Sequence, residues 1–157
     1  MTNFTGQSEH KLDAKGRLFV PRRILDGVED SSERSPLLVT IGVDPCLYLF
    51  TRREFGLHLE QIKLAVRGKS EYSSVMRGLA GLTSEQVVDG QSRILLPDNL
   101  RQHAGLKKEV VVIGVFDHVE IWDVERWRER ESEAEQAYLD QAAVFFRGGH
   151  SGEGGAP

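Results

Sequence analysis

Two hydrophobic periods follow one another along the chain and then return in the same order. Residues 9–12 and 17–20 carry short, strand-like apolar segments. Between them, Asp13-Ala14-Lys15-Gly16 supplies an Asx-turn starter and a glycine able to take positive φ. This predicts a β-hairpin with Lys15 at its tip and Arg17 opening the return strand. Pro21 suits the first position of a short helix, which Gly27 would close. Strands are expected at about 37–43 and 46–50, where β-branched residues flank an Asp44-Pro45 turn. The period then changes: Phe55, Leu59, Ile62 and Val66 step by four, three and four, which is one face of a helix. Residues 72–82 read as a further short helix and linker.

The order then repeats. Glu9, Asp13, Arg17 and Pro21 recur as Glu85, Asp89, Arg93 and Pro97, each 76 positions on, and in both copies three apolar residues separate the arginine from the proline. Downstream, Val39-Thr40-Ile41-Gly42-Val43 is answered by Val111-Val112-Ile113-Gly114-Val115, now 72 positions on. The intervening loop is therefore four residues longer in the first copy, within the polar stretch from Asp26 to Pro36. An insertion there costs little. In the second copy Pro97 opens a helix through Ala104 that Gly105 stops, and strands are expected at about 109–115 and 118–123. Trp127, Ala134, Tyr138 and Phe145 mark a long, charged helix with a thin apolar face.

The chain is thus a tandem repeat. Its expected organisation is repeat 1 at 7–55, a helical linker at 56–82, repeat 2 at 83–127, a C-terminal helix at 128–147 and a Gly-rich, disordered tail at 148–157. A half of roughly 50 to 60 residues is marginal alone. The two halves should therefore share one core about a pseudo-twofold axis, with the matched aromatic residues Phe50, Phe55, Trp122 and Trp127 packed inside it.

Composition changes this picture little, but charge distribution adds to it. The net charge is −4. Yet Lys11, Lys15, Arg17, Arg22 and Arg23 outnumber Glu9 and Asp13 in residues 1–25, whereas residues 120–140 are strongly acidic. Basic charge gathers at the first motif. The single Cys46 lies in an apolar strand and reads as a buried thiol in a reducing compartment. The first residues lack a basic and apolar leader pattern, and no apolar run has membrane-span length. A cytoplasmic protein with no membrane partner is expected.

The Asp13/Arg17 and Asp89/Arg93 pairs admit two readings. Each can be a turn-starting carboxylate paired with a structural arginine. Alternatively, the acid holds the arginine in one rotamer so that its fork faces a phosphate or a guanine edge, since planar bidentate donors suit both. Repetition at fixed spacing raises the second reading. Lys15, Arg22 and Arg23 would extend one positive edge, while Gln91, Asp98 and Asn99 replace them in the second copy. The first repeat should therefore make the main anion contacts. The five histidines form no H-x-x-x-H pattern, and no nucleophile elbow or phosphate loop is present. No enzyme, metal or cofactor is expected. A ring-forming interaction module that takes an acidic protein partner is the alternative to nucleic acid.

These residues carry a family resemblance. Two D-x-x-x-R turns, two I-G-V strand blocks and the run Leu100-Arg101-Gln102-His103-Ala104-Gly105-Leu106 leading into Glu109 resemble the MraZ family of bacterial regulators, built from tandem domains of the SpoVT/AbrB type. The resemblance spans roughly residues 1–146. It implies an α+β fold of swapped-hairpin, double-split β-barrel repeats with flanking helices. It also implies a ring-shaped homo-oligomer, nucleoid association, and binding to short repeats in double-stranded promoter DNA, with repression of its own division and cell-wall gene cluster. By motif, the implied DNA-binding residues are Lys15, Arg17 and Arg93, with Asp13 and Asp89 supporting them; Arg22 and Arg23 join them on charge alone.

Overall fold

The computed structural model describes residues 2–148, so from residue 149 on the expected disordered tail lies outside the described residues. The chain forms two compact units, one up to Val124 and one from Glu125 on.

The first unit is α+β. In chain order it contains β1 (Gln7–Lys11), β2 (Arg17–Phe19), α1 (Arg22–Asp26), a 3-10 turn (Ser31–Arg34), β3 (Leu37–Ile41), β4 (Leu47–Phe50), α2 (Arg52–Val66) and α3 (Tyr72–Gly81). The second repeat then supplies β5 (Thr83–Gln86), β6 (Arg93–Leu95), α4 (Asp98–Ala104), β7 (Glu109–Gly114) and β8 (Val119–Asp123). Eight strands make two antiparallel sheets, one in the order β1-β7-β8-β4-β3-β5 and one of β2 with β6.

That order departs from the expected hairpin. The turn at Asp13–Gly16 is tight, but β1 and β2 do not pair with each other; β1 runs along β7 and β2 along β6. Each repeat thus lends its first strand to the other, because β5 likewise runs along β3. Exchanging each strand for its counterpart reverses the six-strand order onto itself. Two pairs lie on the local twofold: Leu18 faces Ile94, its own counterpart, and Tyr48 faces Glu120, its own counterpart. The outer pairs break the symmetry. Gln7 faces Ile113, while its counterpart Thr83 faces Thr40, one residue short of Ile41. Beyond β1, Leu12 donates its N–H to the Lys108 carbonyl, whereas Val88 donates to the Ser35 hydroxyl of the longer loop.

The shared core draws on both halves. Leu18, Val20, Ile24, Val39 and Leu47 pack with Ile94, Leu96, Leu100, Val110 and Ile121, all at most 1 % exposed. Phe50 and Trp122 are buried but lie outside the cluster that forms the shared core, and Phe55 and Trp127 are only half-buried, so the expected packing of all four inside that core does not hold. Phe55 and Trp127 lie on helices rather than strands. Cys46 is buried, in the turn before β4 rather than within a strand. Helix α2 starts where the Thr51 hydroxyl accepts the Glu54 N–H at 3.1 Å, an N-cap that satisfies one of the donors left over in the first turn. With α3 it borders an apolar groove lined by Phe55, Leu59, Met76 and Leu79. Gly105 closes α4 in the left-handed conformation, φ 65°.

The second unit, over its described residues, continues helix α5 (Val124–Gly148). Arg128 donates to Glu125 and Gln136 to Asp140 along its surface, and Tyr138, Leu139, Val144, Phe145 and Phe146 are exposed. Among the described residues, no helix is long and apolar enough to cross a membrane.

The N-terminal arm depends on one glycine. Phe4 is 2 % exposed and bridges to Phe116, while Gly114 donates its N–H to the Gly6 carbonyl. A Cβ on Gly114 would lie 2.3 Å from the Thr5 nitrogen and 2.5 Å from the Phe4 carbonyl carbon. Those are backbone atoms, so the arm itself must move. Gly114→Ala should therefore destabilise the fold by about 1–3 kcal/mol, the usual range for overpacking. Hydrogen exchange should speed up at Phe4 and Phe116 while Val39 stays protected.

Candidate nucleic-acid interface

The two motif turns are built alike. In the first, one Asp13 carboxylate oxygen accepts the backbone N–H groups of Lys15 and Arg17, both at 2.9 Å, and the other accepts Arg17 Nε at 2.6 Å. In the second, Asp89 accepts the N–H groups of Gln91 and Arg93 at 2.9 Å, and Arg93 Nε at 2.9 Å. One carboxylate thus fixes both the turn and the guanidinium. Nε is the bound atom in both turns, so the Nη edge of each fork is not the one that pairs with its own aspartate. The fourth residue of each turn has positive φ: Gly16 at 79° and its counterpart Ser92 at 60°.

Pairing of β2 with β6 sets the two turns side by side. Arg93 Nη1 comes within 3.9 Å of Asp13, an ion pair between repeats. The ribbon is extended at both ends, as Val20 donates to the Ser92 carbonyl and Leu96 to the Gly16 carbonyl. Strand alternation then sorts the side chains. Leu18 and Ile94 point into the core at 1 % exposure, while Arg17, Phe19, Arg93 and Leu95 share the outer face.

The structure treats the other candidates differently. Lys15 is exposed within the first turn, and Gln91 occupies the equivalent place in the second. Arg22 is exposed and lies 3.5 Å from Asp26 on its own helix. Arg23 is committed inward: it donates to the Thr5 carbonyl, the Ser8 hydroxyl and, from β7, the Val112 carbonyl at 2.8 Å. Its guanidinium ties the N-terminal arm to the sheet, so the expected positive edge does not run through it. Sequence reasoning passed over Arg101, whose side chain donates to the Leu96 carbonyl and pairs with Asp98. The planar group lies against Gly16, where a Cβ would stand 2.6 Å from its central carbon. It also passed over Phe19 and Leu95 as surface residues, since three apolar residues in a row conceal that the middle one faces outward.

Among the described residues, no group of three metal-ligating side chains converges. No buried side-chain nitrogen or oxygen there lacks a partner. What the ribbon offers is a pair of rigidly held forked cations with apolar neighbours, suited to binding an anionic, edge-bearing polymer.

Both acids have pKa values held below the ordinary 3.8, chiefly by the backbone N–H of Arg17 on Asp13 and of Arg93 on Asp89. Desolvation opposes this, and the remaining hydrogen bonds, from Arg17 and Lys15 to Asp13 and from Gln91 and Arg93 to Asp89, add to the lowering. A depressed folded value means that the stabilisation is fully present above the unfolded pKa and is lost as pH falls through the folded one. Carboxyl carbon NMR titration should therefore find Asp13 and Asp89 each more than half ionised at pH 3.8, with midpoints below that of an ordinary aspartate.

The repeats seen in the geometry recur in comparisons with known proteins. The family model for the MraZ protein, described as antitoxin-like, matches residues 3–72 and again 79–144. A protein named transcriptional regulator MraZ from Lachnoclostridium phytofermentans is 36% identical over 142 residues, 90% of this chain and 96% of that one. Its namesake from Symbiobacterium thermophilum is 40% identical over 141 residues, covering 87% and 96%. That from Carboxydothermus hydrogenoformans is 38% identical over 139 residues, covering 88% and 94%. With both repeats matched and near-complete coverage of these relatives, the chain belongs to the MraZ family.

Proposed function

We propose that this chain is a sequence-specific DNA-binding regulator of transcription, without catalytic activity, and that the β2–β6 ribbon is its reading surface. One observation carries the reading: two arginines, each fixed by its own aspartate, stand on the outer face of an exposed two-stranded ribbon about a local twofold. A B-DNA major groove is about 12 Å wide and admits such a ribbon. An arginine fork pairs with guanine O6 and N7, so a fixed fork meets a base edge without further loss of freedom. Lys15 and Arg22 act on phosphates, which position the protein without reading sequence. Arg23 supports the arm instead, and Asp13 and Asp89 support the motif. The names of the relatives, all transcriptional regulators, favour this reading over an acidic protein partner.

The exchange of β1 and β5 between repeats fits the swapped-hairpin, double-split barrel of the SpoVT/AbrB type. We read the working form as a ring-shaped homo-oligomer. One ribbon makes few phosphate contacts and binds weakly and salt-sensitively. A ring sets several ribbons on regularly spaced promoter repeats and gains from effective concentration. Repression of its own division and cell-wall cluster, in a nucleoid-associated cytoplasmic protein, completes the proposal.

The test is fluorescence anisotropy of a labelled duplex from upstream of the protein's own gene against a scrambled duplex. Wild type should prefer the native duplex and weaken with salt. Arg17→Ala should lose on the order of 10–100-fold in affinity for the native duplex only, with Arg93→Ala milder. Light scattering should find both variants at the wild-type mass. Equal affinity of wild type for both duplexes, or dissociation of Arg17→Ala into monomers, would overturn the reading.

A further inference from the structure

Phe19 is 47% and Leu95 42% exposed, although both belong to a short ribbon whose other face is completely buried. They are counterparts across the local twofold, so the same exposure arises twice. Across the ribbon, Arg17 faces Leu95 and Phe19 faces Arg93. The outer face is therefore a rectangle with the two arginines on one diagonal and the two apolar side chains on the other. Each arginine has an apolar neighbour about 5 Å away across the strands and another about 7 Å along its own strand. The Phe19 ring also lies 6.2 Å from the ring of His10, which limits its swing.

A face that met phosphate alone would gain nothing from apolar side chains at its centre. A groove floor differs, because each thymine presents a 5-methyl group there, and apolar side chains such as Phe pack on it. A spacing of about 7 Å along the strand matches roughly two base steps of 3.4 Å. Resting on the DNA-binding reading above, we infer that Phe19 and Leu95 are specificity-determining residues that pack on thymine 5-methyl groups beside the base pairs taken by Arg17 and Arg93. The charges around them commit this face to DNA: Lys15 and both arginines border it, and a second copy of the chain would have to cover these cations as well.

The probe is the native duplex with every thymine replaced by deoxyuridine, which deletes the methyl groups and leaves base pairing unchanged. Wild-type affinity should fall about four-fold for each methyl group on which a side chain packs. Phe19→Ala and Leu95→Ala should bind the thymine duplex more weakly than wild type. The doubly substituted protein should not distinguish thymine from deoxyuridine. Both side chains are exposed, so the variants should keep the wild-type unfolding temperature and assembly mass. Equal wild-type affinity for the two duplexes, or full thymine discrimination in the double variant, would overturn the inference while leaving DNA binding intact. A change of mass in Phe19→Ala would overturn it too, reassigning the apolar pair to a contact between copies. Failure of wild type to prefer the native over the scrambled duplex would instead bring down the DNA reading on which the inference stands.

Discussion

The backbone groups of β1 find their partners on β7 of the other repeat, and those of β5 find theirs on β3, so neither repeat can complete its own sheet. A strand left at an open edge keeps a row of unpaired N–H and C=O groups. Within one half, β2 would also lose its ribbon partner, β6. The helices, the core and the motif turns follow from this exchange. Leu18 and Ile94 meet because the strands cross between repeats, and their meeting seals the inner face of the ribbon while raising its outer face into solvent.

The same exchange explains how short polar turns can hold long cationic side chains still. An exposed pairing of Arg with Asp usually contributes little, because both side chains must be ordered to form it. Here the aspartate is already ordered by two backbone N–H groups, and the arginine opens a strand whose next residue is buried. Most of the ordering therefore belongs to the turn and the core. The ion pair between Arg93 and Asp13 then couples the two turns across the axis.

Much of this was legible in the residues. The repeat spacing, the Asp-initiated turns, α4 with its Gly105 stop and the face of α2 all follow from local rules, and local rules suffice because each involves neighbours in sequence. Strand partners do not work that way. Alternation tells which face of β1 is buried but not which strand lies beside it, so an apparent hairpin became two strands in different sheets. The inward bonds of Arg23 were hidden for a similar reason: its acceptors at Thr5, Ser8 and Val112 include a carbonyl from the other repeat. Arg101 has a local partner in Asp98, three residues earlier, but only the fold brings it onto Gly16. The apolar triplets after Arg17 and Arg93 resemble core strands until their pairing turns the middle residue outward.

Carrying both halves of a twofold on one polypeptide frees them from being identical. Two separate copies related by symmetry must present the same residue on each side, whereas here Lys15 answers Gln91, Gly16 answers Ser92, and Arg101 stands against the first turn where Leu25 occupies the matching place in the other repeat. The outer face therefore has a head and a tail. A symmetric dimer presents the same face after a half-turn; this ribbon presents a different one, so its two ends are open to separate change.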